Sequence, residues 1–121
     1  MSSTAAPQVL QKRSADTALY DLDCSRLLAT SETITSVTSI TATPATSPAL
    51  AFGTPSINAA PIVYDDHTAA IGKVVQVQIS GGAIAAGATS RDYIVRCLMV
   101  TSINPAVEAT VVLRLNDTPL T

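Results

Sequence analysis

Alternating apolar and polar residues are the clearest pattern along the chain, and they predict β-strands. In the stretch "KVVQVQIS", residues 73–80, the apolar residues Val75, Val77 and Ile79 alternate with polar ones. A period of two places successive side chains on opposite faces of a strand. The same alternation recurs in three other segments, whose inward positions are Tyr20, Leu22 and Cys24; Tyr93, Val95, Cys97 and Met99; and Val107, Ala109, Val111, Leu113 and Leu115. These four segments are the predicted core strands.

The stretch "TITSVTSITAT", residues 33–43, carries two conflicting signals. Its apolar residues Ile34, Val37 and Ile40 fall three apart, which is a helical spacing. Threonine, valine and isoleucine, however, are β-branched, and their restricted χ1 angle favours strands. We therefore predict a strand here, in which a β-bulge restores the alternating phase.

Weaker strand signals lie between residues 44 and 72. The segment from Ala49 to Phe52 predicts a short strand within a loop punctuated by prolines. The stretch "SINAAPIVYDD", residues 56–66, predicts an edge strand, because Pro61 lacks the N–H group that a central strand donates. The following "HTAAIG", residues 67–72, predicts a turn.

The whole pattern predicts an all-β fold with about seven short strands, arranged as an antiparallel sandwich or barrel. Residues 1–18 contain Ser, Thr, Ala and Pro7 with little periodicity, so we expect an N-terminal arm outside the core. Residues 19–117 form the predicted β-sandwich domain, and residues 118–121 a C-terminal tail.

Composition narrows the classes of function. Charged residues make up 13% of the chain, about half of the ~25% found in soluble domains, which suits a surface partly covered by neighbours. The net charge is −2 and the basic residues are scattered, apart from Lys12 and Arg13, so we expect no nucleic-acid binding. No apolar run approaches the ~20 residues of a membrane-spanning helix. The N-terminus lacks the basic start of a secretory signal, and we expect assembly in a cytoplasm without membrane contact.

The two cysteines, Cys24 and Cys97, are expected to be buried free thiols. An inter-sheet disulfide, as in secreted sandwiches, is the alternative, but it requires an oxidising compartment. Neither a CxxC motif nor a Cys/His cluster is present, so the sequence predicts no structural zinc.

The loop "SGGAIAAG" contains Gly81, Gly82 and Gly87, and a phosphate-binding function has to be weighed against a structural one. A phosphate loop needs Lys and Ser or Thr after the glycines, or a helix that follows. Here a strand follows, so we interpret the glycines as a corner between two strands. Tyr93, just beyond this corner, is either a tyrosine that bonds back to upstream main chain, as in immunoglobulin-like sandwiches, or an ordinary core residue.

The remaining candidates for chemistry are acidic residues and the single histidine. Asp65, Asp66 and His67 could form a metal or acid–base cluster, but one loop would supply all three ligands and there is no second histidine, so we favour a solvated turn. Asp21 and Asp23 share one strand face and could bind calcium, or could keep the strand soluble. No G-x-S-x-G motif is present to activate a serine. We therefore predict no catalytic, cofactor-binding or metal-binding residues, no cofactor and no enzymatic activity.

The order of these segments resembles a family of small virion proteins of tailed bacteriophages. The resemblance rests on "LYDLDCSRLL", "SETITSVTSIT", "VVQVQISGGAIAAG", "DYIVRCLMVTS" and "EATVVLRLND", and it covers roughly residues 12–117. It departs from the family at Cys24, where an aromatic residue is expected, and in an insertion from Pro44 to Ala60. The resemblance implies an immunoglobulin-like β-sandwich that is part of the virion.

Within the virion, the resemblance implies first a capsid decoration or cement protein that stabilises the head by bridging capsid subunits. The alternatives are a neck, tail or fibre component, or a host-surface or carbohydrate-binding module. The expected partners are the major capsid protein or other virion proteins. A homo-oligomer is also expected, with a trimer as the first guess because decoration proteins cluster on symmetry axes.

Overall fold

The computed structural model describes residues 8–43, 49–84 and 88–116, and within these ranges it contains strands and no helix. The strands are β1 (Gln8–Lys12), β2 (Ala18–Asp23), β3 (Ile34–Thr43), β4 (Leu50–Phe52), β5 (Ser56–Ile57), β6 (Ile62–Val63), β7 (Thr68–Ala69), β8 (Val74–Gly81), β9 (Ser90–Thr101) and β10 (Val107–Asn116). One predicted strand, residues 56–66, is split into β5 and β6, and two observed strands were not predicted: β1 in the expected arm and β7 in the expected turn at residues 67–72.

The strands form two main sheets. Sheet 1 has the order β1-β10-β9-β3, and sheet 2 has the order β2-β8-β4, with β5 paired to β8 beside β4. A separate hairpin joins β6 and β7. All pairs are antiparallel except β1 with β10, which is parallel. The predicted all-β sandwich is confirmed, whereas its purely antiparallel character is wrong at this one pair.

The strand orders of the two sheets resemble those of immunoglobulin-like sandwiches, in which one sheet has the order A-B-E-D and the other C-F-G. If β2, β8 and β4 correspond to B, E and D, then β3, β9 and β10 correspond to C, F and G. The first strand differs, because β1 lies beside the last strand of the other sheet. The immunoglobulin-like character stays a prediction.

The core lies between the two sheets and is built by the alternating segments. Val75, Val77 and Ile79 of β8 are fully buried and belong to the same apolar cluster as residues of β9 and β10. From sheet 1 the fully buried members are Tyr93, Val95, Cys97, Met99, Leu113 and Leu115. Every inward position predicted for β8 and β9 is therefore confirmed.

Part of the predicted N-terminal arm belongs to the sandwich. Residues 8–12 form β1, with Gln8 paired to Val111 and Lys12 to Leu115. Leu10 packs against the core, and the buried Lys12 ammonium donates to the main-chain carbonyl of Gly81 over 3.0 Å. The expectation that this segment lies outside the core is thus wrong for residues 8–12. Residues 1–7 and 118–121 lie outside the described residues.

β3 follows the predicted strand with its predicted irregularity. The pairing of β3 with β9 shifts register between Ile34 and Ser36, and again between Val37 and Ser39. Each shift inserts one residue, which turns a spacing of three into inward positions on a common face. Ile34, Val37 and Ile40 therefore all contribute to the core.

The segment predicted as a single edge strand, residues 56–66, is broken into β5 and β6. The cause is Asn58, whose buried side-chain oxygen accepts hydrogen bonds from the N–H groups of Gly72, Lys73 and Val74 over 3.1, 3.1 and 3.0 Å. The Asn58 amide also donates to the carbonyl of Ala70 over 3.0 Å. These bonds hold the turn that leads into β8, and they end the strand, for which Pro61 had predicted only a position at the edge of a sheet.

A buried polar cluster closes the end of the sandwich where β8 begins. The Lys73 ammonium donates to the carbonyls of Ala29, over 2.6 Å, and of Glu32. The Glu32 carboxylate accepts from the Thr101 hydroxyl and, over 2.8 Å, from the Asn104 amide. The Thr101 hydrogen bond contributes most to holding the pKa of Glu32 below its ordinary value. Lys12 ties down the opposite end of β8 at Gly81, so both ends of this central strand are fixed.

The glycine loop is a corner between strands, as predicted. Gly81 and Gly82 have φ angles of 78° and 81°, in the left-handed region that favours glycine. A Cβ on Gly82 would lie 2.9 Å from Leu50 Cδ2 and 3.0 Å from Leu115 Cδ2. The buried Tyr93 hydroxyl accepts a hydrogen bond from the Ala83 N–H over 3.3 Å, which is the bond back to upstream main chain. Gly87 lies outside the described residues.

The structural role of Gly82 at this corner can be tested by substitution. Gly82→Ala forces a residue with a Cβ into the left-handed region, at a cost of about 1–2 kcal/mol. The new Cβ would also lie too close to the side chains of Leu50 and Leu115, which would have to shift. We expect the free energy of unfolding of this variant, measured by urea denaturation, to fall by at least that amount.

Gly53→Ala is the matched control, because Gly53 has no left-handed φ and its nearest contact would be Gln78 Cβ at 3.3 Å. Equal losses of stability in the two variants would contradict the assignment of Gly82 as a conformationally required glycine.

Candidate functional site

The hairpin of β6 and β7 holds the single histidine of the chain against β2. His67 Nε2 lies 2.5 Å from Asp23 Oδ2, and its Nδ1 lies 2.6 Å from Asp66 Oδ1. The Tyr64 ring stacks on the imidazole with 5.0 Å between centroids. The histidine is therefore clamped between two carboxylates and an aromatic ring at the side of the sandwich.

This geometry makes His67 an ion-pairing residue. A carboxylate on each ring nitrogen requires a proton on each, and the imidazolium is the form that carries both. The hydrogen bond to Asp66, followed by that to Asp23, raises the pKa of His67 above its ordinary value. Neither nitrogen keeps a lone pair for a metal. Among the described residues, no group of His, Cys, Asp and Glu side chains could hold a metal ion.

The predicted cluster of Asp65, Asp66 and His67 forms only in part. Asp66 joins His67, but the second carboxylate is Asp23, which lies 44 positions earlier in the chain. Asp65 makes no contact with the imidazole among the described hydrogen bonds and ion pairs. The aspartates on β2 were identified from the sequence, but as a separate candidate, because nothing in the alternating pattern indicates which hairpin covers a strand.

The calcium alternative for Asp21 and Asp23 does not fit the observed contacts. Asp21 accepts hydrogen bonds from Tyr64, over 3.2 Å, and from Gln76, over 3.1 Å. Asp23 accepts from the hydroxyl of Ser25 over 2.6 Å as well as from His67. Burial raises the pKa of Asp23, but the hydrogen bonds from Ser25 and His67 outweigh it, and the net direction is downward. Both carboxylates are thus occupied by protein donors.

Beside the clamped histidine lies an open cleft of about 640 Å³ between the two sheets. Its lining includes the charged Asp66, Arg26 and Glu108 and the buried Cys24 and Val111. Arg26 pairs with Asp66 at 3.4 Å on the exposed rim. The cleft therefore presents ion pairs of Asp66 with Arg26 and with His67, together with the carboxylate of Glu108, an arrangement suited to polar contact with another macromolecule.

The cysteine in this cleft is not a reactive thiol. Cys24 and Cys97 are free and buried, as the sequence predicted. Burial, and then the nearby Cys97, raise the pKa of the Cys24 thiol to about 12, and burial raises that of Cys97 to about 11. Because the thiolate is the nucleophile, neither cysteine supplies one near neutral pH.

A second candidate surface is the outer face of sheet 1, defined by the outward residues of β1, β10 and β9. Val9 is paired with Val112, and Val112 with Ile94, so the three form an apolar row across three strands. Val9 is about half exposed (48%). An ion pair between Arg114 and Asp92, at 2.8 Å, borders the row. An apolar row with a charged border is typical of a protein–protein contact surface, and the sequence analysis, which followed only inward positions, missed it.

The clamped histidine predicts a pH dependence of stability. Since the pKa of His67 is raised, its stabilising contribution is complete below the ordinary histidine pKa of about 6.5 and is lost as the pH rises through the raised value. The lowered pKa values of Asp23 and Asp66 add stability above the ordinary aspartate pKa of about 3.9, which is lost as the pH falls. We expect the free energy of unfolding to decline on the alkaline side.

The matched control is His67→Gln, which removes the only histidine of the chain. Its stability should vary little across the interval in which the wild-type protein loses stability. Titration of the imidazole ring by NMR gives the pKa directly, and a value at or below that of an unstructured histidine would contradict the ion-paired geometry.

A family model described as "Podophage GP4 fiber-tail adaptor protein gp77" matches residues 12–114. Neither the curated proteins nor the solved structures compared with the chain gave a significant match. No helix among the described residues could cross a membrane.

The family match supports a structural protein of the phage virion that binds other virion proteins. It favours the tail or fibre component, which the sequence analysis held as an alternative, over the capsid decoration protein that it placed first. The reason for the misplacement is that the matching motifs are strands and corners, which specify a scaffold and carry no information on its position in the particle. With the match spanning residues 12–114, the chain belongs to the podophage fiber-tail adaptor family gp77.

Proposed function

We propose that this protein joins a fibre to the tail of a podophage virion, and that it does so by protein–protein contact without catalysis. The observation that carries the proposal is the family match over residues 12–114. An adaptor needs a body that keeps its shape while two different partners bind it.

The sandwich supplies such a body. The central strand β8 is fixed at one end by Lys73 and at the other by Lys12, and both lysines are buried. Gln8 links the sheets at the side, where its amide donates to the carbonyl of Asp21 and accepts from the N–H of Asp23, each over 3.0 Å. Hydrogen bonds of this kind restrict sliding of one sheet against the other.

The two candidate surfaces suit two different partners. The outer face of sheet 1 offers the apolar row of Val9, Val112 and Ile94, which favours a partner with apolar side chains. The cleft beside His67 offers the ion-paired Asp66 and Arg26 and the carboxylate of Glu108, and it suits a polar partner. Because the cleft opens between the sheets and the apolar row faces outward from sheet 1, the two partners do not compete for the same residues.

The absence of enzymatic activity is part of the proposal. Both nitrogens of His67 are engaged by carboxylates, and the thiols of Cys24 and Cys97 are held protonated by burial. Among the described residues we find no nucleophile paired with a free base, which nucleophilic catalysis requires.

Deletion of the gene from a phage tests the proposal. We expect particles with normal heads and tails but without fibres, and infectivity restored by the gene supplied in trans. Quantitative mass spectrometry of wild-type virions should give on the order of a dozen copies, as the closed rings of a tail predict. Fibres retained after deletion, or hundreds of copies on the head, would contradict it.

Complementation with two surface variants tests the contribution of sheet 1. Val112→Lys places a charge in the middle of the apolar row and should abolish fibre incorporation. Val63→Lys adds the same charge to the β6–β7 hairpin at a residue that is 79% exposed, and it should complement fully. Fibre incorporation by both variants would exclude the outer face of sheet 1 as a contact.

A further inference from the structure

β3 is an edge strand with little to discourage the addition of another strand. It ends the order of sheet 1 and, among the described strands, pairs only with β9. No charged residue stands between Glu32 and Asp65, and no proline lies within Ile34–Thr43. Natural proteins usually protect such edges with lysine, proline, bulges or short length. Here the bulges alone are present, and both lie before Ser39.

The other described edges are protected. The main chain of β2 is covered by the Gln8 amide, and β2 also carries the charged Asp21 and Asp23. β4 and β5 are only three and two residues long. β1 has five residues and ends at Lys12. With ten residues, β3 is the longest edge strand of the described residues.

The regular part of β3, Ser39–Thr43, has two chemically distinct faces. Ser39, Thr41 and Thr43 are exposed, whereas Ile40 and Ala42 are half-buried against the core. One face of this stretch thus carries only hydroxyl side chains and the other only apolar ones. A second Ser39–Thr43 segment, added to this edge, would carry the same alternation of hydroxyl and apolar side chains and would match both faces.

We propose that two copies of this protein pair through β3, antiparallel, about a two-fold axis that passes through Thr41. The bulges restrict regular pairing to the five residues Ser39–Thr43. All five can pair with the same five residues of a second copy only if the two-fold axis passes through the central one, Thr41. Thr41 then faces Thr41 of the second copy, Ser39 faces Thr43, and Ile40 faces Ala42. Hydroxyl meets hydroxyl and apolar meets apolar, with no like charges opposed. Sheet 1 continues across the axis into a closed, isologous dimer.

The proposed dimer forms in the isolated protein, so its test does not depend on whether the protein joins a fibre to a tail. Its occupant is a second copy because the edge is self-complementary, with hydroxyl side chains opposite hydroxyl ones and apolar side chains opposite apolar ones. Arg96 of β9, which donates to the Thr43 hydroxyl over 3.0 Å, brings a positive charge next to this stretch but has no acidic counterpart on β3. The pairing would also connect two outer faces of sheet 1 into one continuous surface, which doubles the contact area offered by each adaptor unit.

Cysteine cross-linking tests the register. Residues that face each other across antiparallel strands have Cα atoms about 4.5–5.5 Å apart, within the range of a disulfide. Thr41→Cys should therefore form a disulfide-linked dimer on mild oxidation. In Thr43→Cys the two new thiols would lie about 13 Å apart, four residues along the strand, so this matched control should stay monomeric. The buried Cys24 and Cys97 do not compete.

Solution mass tests the dimer without any cross-link. We expect light scattering to approach twice the 12.4 kDa chain mass as the protein concentration rises. Thr41→Lys should return the mass to that of one chain, because two ammonium groups would meet at the axis. Thr110→Lys, an exposed threonine on β10 of the same sheet, should leave the dimer intact. Unchanged circular dichroism and melting temperature confirm that each variant folds.

Three results would overturn the proposal. They are a single-chain mass at every concentration, equal cross-linking of Thr41→Cys and Thr43→Cys, and a dimer that Thr110→Lys dissociates while Thr41→Lys does not. The last result would indicate stacking of sheet faces.

Discussion

The packing of β8 against the opposite sheet is the interaction on which the rest of the structure depends. Val75, Val77 and Ile79 leave water completely, and each contributes about 1.5–3 kcal/mol by burial. All three other strands of sheet 2 are held through β8, since β2 pairs with one of its edges and β4 and β5 with the other. A change on β8 would therefore disturb all of sheet 2 and its packing against sheet 1.

Polar side chains determine where this core ends. Lys73 and Lys12 bind main-chain carbonyls at the two ends of β8, and Asn58 binds the turn that precedes it. Each buried polar group must find partners to offset its desolvation, and no buried side-chain nitrogen or oxygen among the described residues is left without one. The sandwich can thus be stiff although few long charged side chains cover it. Its outer surface, rich in threonine and serine, remains available for contacts with other proteins.

The sequence predicted the features that depend on local periodicity, but not the contacts between segments that are far apart in the chain. The inward residues of β8 and β9, the bulged β3 and the glycine corner all follow from patterns within about ten residues. β1 was missed because its five residues alternate weakly and pair in parallel with a strand about a hundred positions later. The partnership of His67 with Asp23 has the same origin, since it joins a hairpin to a strand that the chain laid down much earlier. The sequence analysis correctly placed the protein in the virion. It did not predict the protein's position within the particle, because the motifs it used specify the fold and not the binding partners.

The protein combines a stiff two-sheet body with two surfaces of different chemistry, which is what the proposed link between fibre and tail requires. A cryo-electron microscopy reconstruction of the tail of the intact virion tests this most directly. We expect density for this sandwich at the junction, with the outer face of sheet 1 on one partner and the cleft beside His67 on the other. Density on the head shell, or a sandwich that touches only one of the two partners, would contradict it.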